Sequence, residues 1–458
     1  MDSLPLIVLA TLFACVCVAA TVLFAWRREP LIRHAVLVYF IMNCGMAAVQ
    51  ITPWASNVNL DRWRYLEAQA QLARYLRSLS FGRMVVEIGA GLVEQVVPAR
   101  EAIGSQAPSR VVTDLNPAQV TLGSLMLLAT DGWELAPGLL WATVISLATA
   151  WFFMVVVPRI EGWRRWALIV FVILSPASAW FRTINEKEPL ILALTLLTVG
   201  AVIRIMTEGA RARTVVLLVA SLGAMVMFRP PYLLILGFVL LVGLAFARRP
   251  TFTVWAVGVV VGVGLFVVAL FPQLVMHSGP GALAAKEVAS YYFQEMLNAR
   301  SDYGAGSAST GMVGADFMRT ALQQGPRGLI YTPLFIVYYT VGPFPWQTGS
   351  MLMQFAKIQA IVYWPVVVLL IANLLSWWRL EPQHRVMLIA SWGLIVIMSI
   401  LEANLGTAMR HRTTFEPLLF YAAFCTPLPR PSRAYDFEAR EPARVTAEPP
   451  VGVAAPVC

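Results

Sequence analysis

The chain has 458 residues, of which 59% are hydrophobic and 13% charged. A mean hydropathy of +0.70 excludes an ordinary soluble domain and points to a membrane protein. The formal net charge of +9 does not indicate nucleic acid, because the basic residues are scattered among apolar runs and gather in short turns between them. Five cysteines give no disulfide framework. Cys15, Cys17, Cys44 and Cys425 lie in apolar runs and Cys458 is the last residue, with no CxxC spacing, so they read as packing thiols.

The predicted spans, in chain order, are 5–25, 35–53, 138–157, 166–182, 189–206, 213–228, 231–247, 252–271, 355–377, 386–402 and 415–428. That predicts an all-α, polytopic integral membrane helix bundle of about eleven spans with extracytoplasmic interfacial helices. The first span has no preceding positive residue and is followed by Arg27 and Arg28, so it reads as an uncleaved anchor with its N-terminus outside. Residues 1–34 form this anchor and a cytoplasmic turn, 35–428 the multi-span core, and 429–458 a Pro-rich disordered cytoplasmic tail.

Sidedness follows from the turns. Arg27, Arg28 and Arg33, then Arg159, Arg164 and Arg165, then Arg204, Arg211 and Arg213, then Arg248 and Arg249, and finally Arg379 and Arg385 fall on one side if the spans alternate. That side is expected to be cytoplasmic. The other side carries two long segments, 54–137 and 272–354. In the first, Leu72, Tyr75, Leu76 and Leu79 recur at helical spacing with Arg74 and Arg77 between them, the pattern of a helix lying in the interface. The run 119–129 is too short to span. The second segment contains YGAGSASTGMVGA, which reads as a mobile loop, and ends in VGPFPWQ, where Pro343, Pro345 and Trp346 suggest a rigid turn at the membrane surface.

Four polar groups share that outer side: Asp61; Glu186, Lys187 and Glu188; Arg229; and Arg410, His411 and Arg412. Ionisable residues bordering spans are costly and become functional candidates. Each also has a plainer reading. Asp61 caps its helix; Glu186 to Glu188 form a solvated turn; Arg229 snorkels to headgroups; Arg410 and Arg412 bind lipid phosphate nonspecifically. Arginine's planar fork suits phosphate oxygens, and two arginines at i and i+2 converge from a loop rather than from one helix face. A nearby carboxylate can take a proton from an attacking hydroxyl. Cations, an acid and apolar surface together fit sugar transfer from a polyprenyl phosphate or pyrophosphate carrier.

The order of features also resembles the bacterial GT-C superfamily of membrane glycosyltransferases, including family 39 and the arabinose and mannosyl transferases. DRWRYLEAQAQLA from Asp61 is similar to the acid that opens the first large outer loop there. TLGSLMLLATDGWELAPGLLWA is similar to the apolar run that follows, and SPASAWFRTINEKEPLIL to the second acidic site. FRPPYLLIL, VGPFPWQ and GTAMRHRTTFEPLL resemble segments of bacterial relatives in polysaccharide assembly. The pattern covers residues 35–428; it departs where Arg62, not a second acid, follows Asp61. The resemblance implies an inner-membrane transferase with its site on the periplasmic face. Its donor would be a polyprenyl-linked sugar and its acceptor a glycan or lipid. Asp61 would be the base, assisted by Glu186 or Glu188. Lys187, Arg229, Arg410 and Arg412 would hold the phosphate leaving group, with His411 and Trp346 as secondary candidates. The loop 272–354 would close over the acceptor. No cofactor and no metal are expected, since no compact set of carboxylates and histidines is visible. Two rivals stand beside this reading: an O-antigen-type polymerase working with arginines alone, and a transporter of a lipid-linked substrate.

Overall fold

A computed structural model describes residues 3–26, 28–52, 60–94, 100, 103–105, 116–175, 178–179, 182, 187–228, 232, 236–237, 240, 332–345, 351–401 and 405–425. Among them there are helices and turns and no strand. The helices are α1 (Ser3–Trp26), α2 (Pro30–Gln50), α3 (Leu60–Arg77), α4 (Phe81–Val93), α5 (Pro117–Ala129), α6 (Ala136–Val156), α7 (Trp163–Leu174), α8 (Glu188–Glu208), α9 (Ala212–Phe228), α10 (Thr332–Val341), α11 (Met351–Leu375), α12 (Pro382–Leu401) and α13 (Leu405–Phe424). Five stretches among the described residues are long and apolar enough to cross a membrane: Val8–Trp26, Pro30–Gln50, Ala136–Arg159, Glu188–Glu208 and Lys357–Leu375. The predicted spans 231–247 and 252–271 lie almost entirely outside the described residues, as do the loop around 303–315 and the tail from 426.

The helices α6, α8 and α13 form the centre. Helix α8 packs against α6, α9 and α13, while α13 also touches α7, α11 and α12. Lipid tails are as apolar as leucine, so close packing and polar pairs, rather than hydrophobic segregation, hold such helices together. The sequence supplies what that needs. Ala142, Ser146, Thr149 and Ala150 on α6 and Ala193, Thr198 and Ala201 on α8 are small and buried. Gly200 allows the Trp151 ring to approach so closely that an added Cβ would lie 2.3 Å from it. The Thr198 and Ser221 hydroxyls, 2.9 Å apart, link α8 to α9.

Helices α3, α4 and α5 build a separate small core. Tyr65, Ala68, Leu72 and Leu76 of α3 pack with Val120 of α5. The apolar stripe anticipated on this helix therefore covers α5 in good part. Helix α5 is the short run expected not to span. Its N-terminus is capped by the Asn116 side chain, which accepts from Gln119 N, with Pro117 at the first helical position. The Cβ of an alanine at position 123 would lie 2.2 Å from the Gln69 side chain, so Gly123 lets α3 and α5 meet.

Among the described residues the arginine-bearing turns converge at one end of the bundle; Arg27, Arg248 and Arg249 lie outside those residues. Arg165 pairs with Glu29 at 2.5 Å, and Arg159 with Glu208 at 3.0 Å. Glu208 also receives Arg204 and Arg211, and Arg164 donates to the Cys425 carbonyl. This is the grouping expected from alternating spans. Helices α8 and α13 run parallel, with their C-terminal ends at this arginine-rich end and their N-termini at the opposite end.

Three elements differ from expectation. The span predicted at 166–182 is interrupted, since α7 ends at Leu174, where the Ser175 backbone turns to an extended ψ of 115°. Residues Thr332–Val341, inside the outer segment read as a loop, form α10. Residues 403–414 read as a loop before a span at 415, but α13 is continuous from Leu405 to Phe424. Arg410, His411 and Arg412 are helical residues. Charge depresses hydropathy and so shortens a predicted span, whereas partners from other helices satisfy the charge and let the helix continue.

Candidate functional site

The N-terminal halves of α8 and α13 meet at the end opposite the arginine cluster. Glu188 is the first residue of α8, where the helix dipole favours a carboxylate. Its side chain is 1% exposed and lies 2.7 Å from the Arg410 Nε on α13, whose side chain is 22% exposed. The plainer reading of 186–188 as a solvated turn gives way, at Glu188, to a buried ion pair. Lys187 immediately precedes the helix and is half-buried.

Two residues along α13, Arg412 turns elsewhere, as i and i+2 positions of a helix must. It is 2% exposed. Its Nη1 donates to the Tyr339 carbonyl at 2.7 Å and to the Thr340 carbonyl at 3.3 Å, near the C-terminus of α10. Its guanidinium sits over the Tyr363 ring of α11, 4.1 Å from the centroid, and 5.9 Å from that of Tyr339. Among the described residues Nε and Nη2 have no hydrogen-bond partner. These two atoms form one edge of the guanidinium fork, the shape that takes two oxygens of a phosphate or carboxylate. Between the arginines, His411 is buried with its ring edge-on to Tyr232, 5.6 Å between centroids.

One turn below Arg412 lies a carboxylate that the sequence reading passed over. Glu416 is buried. Tyr363 Oη donates to it at 2.8 Å and Gln359 Nε2 at 2.7 Å, both from α11. The hydroxyls of Ser175 and Ser178, just beyond α7, also hydrogen-bond its carboxylate. At about 1.5 Å per residue, Glu416 lies roughly 16 Å into α13, near its midpoint. A cavity of about 10 Å³ beside it, on the scale of one water, is lined by Ser178, Tyr39 and Phe420 among others. Also unanticipated is Arg182, which is buried, donates to the Val172 and Ile173 carbonyls at the end of α7, and lies 4.4 Å from the Tyr39 ring centroid. The available signal was a charged residue within or beside an apolar run, for both Glu416 and Arg182.

The remaining candidates divide by placement. Asp61 is the second residue of α3; its side chain lies outside the described residues, as do Glu186, Arg229 and Trp346. Neighbours of Asp61 and Arg229 make contacts at this end of the bundle. Tyr65, one turn after Asp61, accepts through its hydroxyl from Asn116 N at 3.1 Å. Asn116 Nδ2 donates to the Phe228 carbonyl at 2.8 Å, one residue before Arg229. Tyr232, three residues after Arg229, meets His411. The structure thus brings Glu188 and Arg410 together, sends Arg412 to α10 and α11, and links the start of α3 to the same end of the bundle. Among the described residues no group of three or more His, Cys, Asp or Glu is arranged to hold a metal.

The fold and site define a protein that is helical throughout its described elements, with helices able to cross a membrane, a Glu188–Arg410 ion pair at one end of the bundle, and buried Arg412 and Glu416 deeper along the same helix. No protein-family model, curated protein or solved structure matches the chain.

Proposed function

We propose that this chain is a bacterial inner-membrane glycosyltransferase that moves a sugar from a polyprenyl-phosphate-linked donor to a glycan or lipid acceptor on the periplasmic face. The observation that carries the reading is the buried guanidinium edge of Arg412, with Nε and Nη2 unpartnered among the described residues. A buried donor pair of this kind is costly unless an anion fills it. In the proposed reaction a carboxylate, assigned to Asp61, takes the proton of the acceptor hydroxyl. The acceptor oxygen bonds to the sugar's anomeric carbon as the bond from that carbon to the phosphate oxygen breaks. The leaving phosphate gains negative charge, which Arg412 and the neighbouring cations stabilise. About eleven spans would place the arginine-rich end in the cytoplasm.

A second reading, transport of a lipid-linked substrate, is favoured by Glu416, a carboxylate near the midpoint of a bundle helix. The two differ chemically, because transfer cleaves the donor and transport leaves it whole. The full chain reconstituted in vesicles with a panel of polyprenyl-phosphate-linked hexoses and pentoses and with membrane-derived acceptors should release free polyprenyl phosphate. Asp61→Asn should abolish the release. Intact donor recovered across the panel would overturn the transferase reading, and full release by Asp61→Asn would favour a polymerase that works without this base.

A further inference from the structure

We infer that Glu416 and Tyr363 are positioning residues that hold Arg412 ready for an isoprenyl phosphate, an inference that rests on the anion-binding reading of Arg412. The argument begins with what fixes the guanidinium. Its Nη1 is tied to the backbone of α10, and its flat face rests on Tyr363. The two contacts hold the group from one end and one face, and the Nε–Nη2 edge is left over. A long arginine side chain has many rotamers, so an edge kept in one place needs a stiff support.

Tyr363 is that support only if its own ring is held. It is buried, and its phenol donates to Glu416 at 2.8 Å. Glu416 is in turn fixed by Gln359, whose Nε2 also lies 3.0 Å from Ser175 Oγ. Helices α11 and α13 and the turn after α7 therefore all meet at one carboxylate. The carboxylate acts on Arg412 in two ways. It orients the ring, and a phenol that donates a hydrogen bond has a more electron-rich face for the cation above it. It also ties the support to α13 one helical turn from Arg412 without occupying the arginine's free edge. A direct Arg412–Glu416 ion pair would block an incoming anion; the tyrosine between them avoids this.

Farnesyl phosphate and farnesol are suitable probes, since they differ only in the phosphate. Binding of each is measured by titration calorimetry on the full chain in nanodiscs, for wild type, Tyr363→Phe, Glu416→Gln, the double variant and Arg412→Met. Wild type should prefer farnesyl phosphate. Tyr363→Phe keeps the ring and removes the link, and it should lower that preference about tenfold while leaving farnesol binding unchanged. Glu416→Gln should do the same, and the double variant should be no worse than either single one, because the two residues act in series. A general loss of structure would weaken both probes together. Tyr363→Phe keeps the test decisive even if Glu416→Gln fails to fold. Unchanged phosphate preference in Tyr363→Phe, with the preference lost in Arg412→Met, would overturn the positioning role alone. Unchanged preference in Arg412→Met would overturn the anion site itself.

Discussion

Neutralising Glu188 should expose how strongly the two central helices depend on their ion pair. In Glu188→Gln the shape is kept and the charge is lost, leaving Arg410 facing a buried amide. At 2.7 Å and an effective dielectric near 20, the lost attraction is about 6 kcal/mol. Part of that is offset, because the carboxylate no longer has to be held out of water. Breaking a buried pair costs about 3–5 kcal/mol in practice. Arg410 retains 22% exposure, so some hydration remains and the lower end, about 3 kcal/mol, is expected. That is roughly a hundredfold in the folded-to-unfolded ratio. The assay is reversible unfolding of the full chain in mixed micelles, followed by tryptophan fluorescence, for Glu188→Gln, Arg410→Gln and the double variant. The double variant should lose clearly less than the sum of the singles, because it leaves no unpaired charge. Losses that add to within about 0.5 kcal/mol would refute the pairing as an energetic contact.

Other outcomes follow from the same geometry. Arg412→Lys should lower transfer by roughly ten- to a hundredfold, because a point charge cannot hold the Tyr339 carbonyl and present a two-donor edge together; full product from cells expressing equal amounts would refute it. Gly200→Ala should cost about 1–3 kcal/mol, since the added Cβ meets the Trp151 ring. Gly89→Ala, within α4 where nothing lies within 4 Å, should be neutral or stabilising by about 0.5–1 kcal/mol; thermal unfolding of both variants compares them directly. On a cysteine-free background, a membrane-impermeant maleimide should label Glu134→Cys but not Arg213→Cys in intact cells, and the reverse pattern would invert the proposed orientation.

The sequence by itself determined the helical class, the positions of five helices long and apolar enough to cross a membrane, and the sharing of one end by the described arginine turns. Apolar length and the placement of charge in turns are local properties, and Arg159, Arg165 and Glu208 behave as their positions imply. It also marked Glu188, Arg410 and Arg412 as unusual. It did not show that Arg410 and Arg412 belong to one continuous helix with separate partners, because a charge reads as the end of a span when its counter-charge is unknown. Glu188 lies more than two hundred residues from Arg410 in the chain, and only the packing of α8 on α13 makes them a pair. Glu416 was lost for the same reason. A carboxylate followed by proline within an apolar run has no visible partner in sequence. Only the tertiary structure supplies Tyr363, Gln359 and the serines beyond α7, whose hydroxyl and amide donors satisfy a buried carboxyl group at that depth.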